Sequence, residues 1–112
     1  MTRVRRSGSS ALLREVDALC AELQQRCGLT RLSIVIERSS GPLTVTLQNQ
    51  FHSRPSADAI ARLELEVRDG ERRLGDVLLE DSLAQSYPED IRRAADDVVT
   101  RHVPALRDAL SA

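Results

Sequence analysis

The sequence predicts an α+β domain: a four-stranded antiparallel sheet made of two hairpins and flanked by N- and C-terminal helices, in the order α-β-β-β-β-α. Three observations predict it. Apolar residues recur with a helical period near both ends, and four segments between them alternate with a period of two. Two turn signals, Ser39-Ser40-Gly41-Pro42 and Asp69-Gly70, then divide the four segments into pairs. At 112 residues, 41% of them hydrophobic and 29% charged, the chain is expected to form one domain. A chain of this size buries roughly 65% of its unfolded surface, enough for one modest core.

Residues 1–8, with Arg3, Arg5 and Arg6, read as a flexible basic tail, and residues 9–112 as the domain. Ser9 or Ser10 is the expected cap of a helix that runs to Cys27, where Gly28 stops it. On a helical wheel Leu12, Leu13, Val16, Leu19, Cys20, Leu23 and Cys27 fall within an arc of about 120°. That is one apolar stripe, enough to cover one surface.

The period then changes. In LSIVIER at 32–38, Leu32, Ile34 and Ile36 oppose Ser33, Val35 and Glu37; in LTVTLQN at 43–49, Leu43, Val45 and Leu47 oppose Thr44, Thr46 and Gln48. The segment at 50–61 contains Pro55, has no period, and reads as a connection with a short helical turn at 56–61. The second hairpin follows, with Leu63, Leu65 and Val67 on one face of its first strand. Its second strand, 73–80, sets Gly75, Val77 and Leu79 against Leu74, Asp76, Leu78 and Glu80. Gly75 is expected where this strand passes beneath a helix, because a strand glycine often marks close approach of another backbone.

Ser86-Tyr87-Pro88-Glu89 fits a capping box with proline in the first turn. The helix it launches has an apolar arc of about 180°, wider than a single buried face requires. Pro104 is expected to kink or divide it after Val103. The surplus arc predicts a homodimer through the terminal helices, with Val99, Val103, Leu106 and Leu110 at the interface.

The C-terminal half resembles the end of a GAF domain. Leu74, Gly75, Val77, Leu78 and Leu79 match that family's closing strand, and Pro88, Glu89 and Asp90 match the start of its last helix. The resemblance implies a GAF-like or profilin-like architecture. In GAF domains that bind cyclic nucleotides or tetrapyrroles, the ligand lies between the sheet and a long insertion. Here the connection at 50–61 is about a dozen residues, too short to roof a pocket of several hundred Å³. No cofactor is therefore expected.

Composition narrows the function further. A formal net charge of −1, with only Phe51 and Tyr87 as aromatics, argues against nucleic-acid binding and against aromatic cages. Without a run of 18 apolar residues no membrane span is expected, and the basic N-terminus lacks the apolar run of a secretory signal. Cys20 and Cys27 lie roughly 10 Å apart along one helix, beyond the reach of an intrachain disulfide. They read as reduced, small buried hydrophobes in a cytoplasmic protein. His102 reads as a core or interface histidine, since no carboxylate stands four residues away on its face. His52 beside Ser53 makes no triad, because triad members meet in space rather than in sequence. No catalytic or metal residue is expected. The resulting expectation is a non-enzymatic signalling or regulatory association module, acting as a homodimer or as an adaptor for a protein partner. The alternatives are a partner-binding chaperone resembling the small dimeric secretion chaperones, or a small-molecule sensor with a reduced pocket near 50–61.

Overall fold

A computed structural model describes residues 7–28, 31–48, 61–81 and 84–111, with the side chains of residues 7–10 and 48 outside that description. The readings that concern Arg3, Arg5, Arg6, His52 and the connection at 50–60 fall outside the described residues. The elements are α1 (Ser7–Cys27), β1 (Arg31–Ile36), β2 (Leu43–Gln48), β3 (Ala61–Asp69), β4 (Arg72–Asp81) and α2 (Glu89–Ser111). The strands lie in the order β2-β1-β4-β3. Both expected hairpins form, and an antiparallel β1–β4 ladder joins them into one sheet.

The two helices lie against each other on one face of the sheet, α1 over β1 and α2 over β3. Between the layers, Leu12, Val16, Leu19 and Leu23 of α1 and Ala95, Val98, Val99 and Leu106 of α2 are buried with Leu32, Ile34, Ile36, Leu63, Val67, Val77 and Leu79 of the sheet. Each large aliphatic side chain buried there contributes about 1.5–3 kcal/mol relative to leaving it in water. Leu13 is the exception to the expected stripe: it sits at the rim of the arc and is 38% exposed.

The helix ends correct three expectations. α1 starts at Ser7, so Ser9 and Ser10 lie inside its first turn instead of capping it. At its other end the N–H of Gly28 donates to the carbonyl of Gln24 at 2.9 Å with φ at 60°, a left-handed stop that suits glycine. In α2 the first carbonyl to accept belongs to Pro88, from the N–H of Arg92 at 3.1 Å, so Glu89 opens the first turn instead of closing a capping box. Glu89 and Asp90 complement the positive end of the helix dipole there. α2 also runs unbroken through Pro104. Pro104, and Thr100 whose carbonyl loses its helical partner to it, are both exposed.

A β-bulge breaks the period of β4. Val67 pairs with Gly75 but Arg68 pairs with Arg73, which leaves Leu74 as the extra residue. Simple alternation places Leu74 outward beside Asp76. The bulge turns it into the core, where it is fully buried, and its carbonyl accepts the N–H of Glu37 at 2.7 Å. Gly75, next along, pairs with Ile36 on one side and Val67 on the other. A Cβ there would lie 2.0 Å from the Val35 carbonyl oxygen and 2.9 Å from the Ile36 Cα. Another backbone does approach closely, but it is β1 and not a helix.

Because the obstruction is backbone, it cannot be relieved by a side-chain rotation. Gly75→Ala is expected to cost about 3 kcal/mol or to prevent folding, as read by urea unfolding. A midpoint within error of the wild type would overturn this account of the β1–β4 contact.

Candidate functional site

The sheet face opposite the helices carries the densest polar chemistry in the described residues. Strand register lays it out in rows. Arg31, Glu80 and Arg62 face one another across β1, β4 and β3; then come Ser33, Leu78 and Glu64, and then Val35, Asp76 and Glu66. Glu80 does not stand in water as its alternation predicts. Its side chain is only 10% exposed, held by Arg31 Nε at 3.2 Å and Arg62 Nε at 3.0 Å. A carboxylate so covered requires compensating cations, and two adjacent strands supply them.

At the far end Arg73, turned outward by the bulge, gathers three carboxylates. Its guanidinium bonds Asp76 and lies 3.4 Å from Glu37 and 3.7 Å from Glu66, while Arg68 holds Glu66 at 3.0 Å. The cations and anions of this face thus largely neutralise each other. Between the two ionic clusters lie half-buried Val35 and Leu78, with the exposed Thr44 and Thr46 of β2 alongside. Two apolar side chains thus sit near the middle of the face, beside Ser33 and the exposed Glu64, with the ionic clusters toward its ends.

A second polar cluster ties the helices together. His102 Nδ1 meets Glu15 Oε2 at 3.1 Å and its Nε2 meets Glu22 Oε1 at 2.9 Å. Two carboxylates facing both ring nitrogens are bonded together only when both nitrogens carry protons. Arg101 reaches the other oxygen of Glu22 at 2.5 Å and Asp97 at 3.4 Å. Reading α2 alone misses this arrangement, because both glutamates come from α1. Hydrogen bonds from His102 and then Arg101 hold the Glu22 carboxyl below its ordinary value of 4.5.

The four residues expected at a helical dimer interface are already engaged within one chain. Val99 and Leu106 are buried, and Val103 and Leu110 are half-buried against the same core. α1 lies alongside α2 and takes up part of the wide apolar arc, while Val103 and Leu110 stay partly exposed. Cys20 and Cys27 are both free. Burial, reinforced by Asp17, pushes the Cys20 thiol up to about 11. Burial also raises Cys27, with Arg26 opposing the effect only in part. Neither thiol has the lowered pKa of a reactive cysteine. Tyr87, unmarked by any sequence motif except the helix start, is buried with its hydroxyl unpartnered among the described residues. Burial, then Asp81, raises that hydroxyl above the ordinary tyrosine value. Between the helices, Ala11, Arg14, Glu15, Ala105, Asp108 and Ala109 line a wide-open groove of about 380 Å³. Among the described residues no group of three or more His, Cys, Asp and Glu is placed to hold a metal, and no helix is long and apolar enough to cross a membrane.

Among solved structures, the chain is similar to the GAF domain from an Acinetobacter phosphoenolpyruvate-protein phosphotransferase. The TM-score is 0.57 at 10% sequence identity, over 96% of this chain and 97% of that one. The fold is GAF-like. No protein-family model matches the chain, and no curated protein matches it.

The helix clasp has a signed pH dependence. A carboxyl lowered in the folded state stabilises it above the unfolded value, and that contribution is lost as pH falls through the folded value. The melting temperature should therefore drop on acidification below 4.5. Glu22→Gln should lower it near neutrality and converge on the wild type in acid. A difference that stays constant between about pH 7 and pH 3 would remove Glu22 as the titrating group.

Proposed function

We propose that this chain is a GAF-like regulatory module with no catalysis of its own, acting by association with protein as a homodimer or as an adaptor. One observation carries the reading. The outer face of the sheet carries Val35 and Leu78 near its middle, beside Ser33 and the exposed Glu64, between ends whose charges are paired. Apolar centre and polar rim are the anatomy of a protein interface. A small charged ligand, by contrast, is recognised by charges left free to meet it, and Arg73 and Glu80 are each committed to more than one partner. The likeness of fold to a GAF domain from a phosphotransferase supports a regulatory role.

Leu78→Arg tests the face without touching the helix side of the sheet. Wild-type protein immobilised in extract of its own cells is expected to retain a defined protein by quantitative mass spectrometry. The variant should lose it with at least about a tenfold fall in affinity, the scale of a central contact. Equal capture by the two would overturn the assignment of this face.

The same reading predicts flat calorimetric titrations with cyclic nucleotides and no chromophore in the purified protein. Micromolar binding of a cyclic nucleotide would show that the module senses a small molecule instead.

A further inference from the structure

The two edges of the sheet are built differently. The β3 edge is blunted: Arg62, Glu64, Glu66 and Arg68 stand exposed along it, and α2 reaches it through Arg107 and Asp69 at 3.3 Å. These are devices that discourage a strand from receiving another. The β2 edge has none of them. Leu43-Thr44-Val45-Thr46-Leu47 contains no charge, no proline and no glycine, and β2 pairs only with β1 among the described strands. Among the described residues its other side has no strand partner, and a strand edge of that kind is a ready template for another strand.

The sequence of that edge also indicates which strand suits it. LTVTL reads the same in both directions. In an antiparallel pair about a twofold axis at Val45, Leu43 stands opposite Leu47 of the other copy, Thr44 opposite Thr46, and Val45 opposite itself. Every cross-strand position then joins like with like: aliphatic with aliphatic on the helix side, threonine with threonine on the outer side. Such pairs are favourable, and no like charges meet. Leu43, Val45 and Leu47 are only half-buried, at the margin of the core. A second copy would extend that aliphatic strip across the axis and close the edge of both sheets.

We infer that β2 is a self-association edge, pairing with β2 of a second copy to make a continuous eight-stranded antiparallel sheet. The inference rests on the association reading above and places the homodimer at the sheet edge instead of on the terminal helices. A single strand pair buries less than a standard interface, so the dimer forms in the micromolar range.

Sedimentation analysis of the full chain tests it. Thr44 and Thr46 are exposed, so charges placed there leave the core untouched, and circular dichroism checks that the fold is kept. The wild type should be a reversible dimer at tens of micromolar. Thr44→Lys with Thr46→Lys sets positive charge against positive charge at both cross-axis positions and should raise the dimer dissociation constant at least about tenfold. Thr44→Lys with Thr46→Glu carries as many changes but sets opposite charges face to face, and should restore the dimer. A monomeric wild type at that concentration would overturn the proposal. So would equal dimerisation of the two double variants. Loss of the dimer in Leu78→Arg, with both threonine variants unaffected, would move self-association to the outer face; partner capture that survives the Lys–Lys variant leaves the association reading standing without this edge.

Discussion

The pairing of β1 with β4 is the contact on which the rest of the structure depends. Each hairpin by itself is a two-stranded ribbon, and an isolated ribbon is marginal in water. Only the central ladder makes a sheet wide enough to carry two helices. That ladder depends on Gly75. Its neighbour across the strands, the Val35–Ile36 backbone, comes so near that no β-carbon fits between them. The bulge at Leu74 accompanies this approach. It turns Leu74 into the core, aims Arg73 at the outer face, and lets the Glu37 amide bond the Leu74 carbonyl. One residue without a side chain thus permits the sheet, and one unpaired residue next to it decides what the sheet displays.

Electrostatics is distributed to match. A chain that is 29% charged with a net charge of −1 has nearly equal numbers of both signs to place. On the outer face they are placed in cross-strand rows, with Glu80 between two arginines and Arg73 among three carboxylates. Between the helices, His102 and Arg101 of α2 meet Glu15 and Glu22 of α1. Exposed pairs of this kind add little stability each. Their effect is on register and docking: a slip of one residue would part Glu80 from both Arg31 and Arg62 and turn each strand's apolar side away from the core. The buried Glu80 is the stricter constraint, because removing either arginine leaves a carboxylate short of partners in a covered site.

Function follows from which surfaces remain open. The helix layer uses nearly all its large apolar residues internally, and Leu13 alone of the described large hydrophobics is exposed. The outer face and the β2 edge adjoin each other, since Thr44 and Thr46 continue the rows that begin on β3. On the association reading proposed above, the binding chemistry would lie on the sheet, with the helices as its backing.

The elements themselves were legible in the sequence. Periodicity and turn chemistry are local, and they located both helices, both hairpins and the core residues of β1 because a strand or helix must turn its apolar side inward wherever it packs. The GAF-like ending was legible for the same reason. The palindrome of β2 was also there to be read, but it acquires meaning only once β2 is known to be an edge. Other features came from tertiary contact alone. Leu74 faces inward because a bulge shifts the register against β3, which alternation along one strand cannot register. His102 finds its carboxylates on a different helix, 80 and 87 residues away in the chain and invisible to any rule of i±4. A wheel shows how wide the apolar arc through Val99, Val103, Leu106 and Leu110 is and not what covers it; the packing of α1 beside α2 buries Val99 and Leu106 and leaves Val103 and Leu110 partly exposed. Local chemistry determined what each segment becomes, and the docking of segments distant in sequence decided which of their faces remain for function.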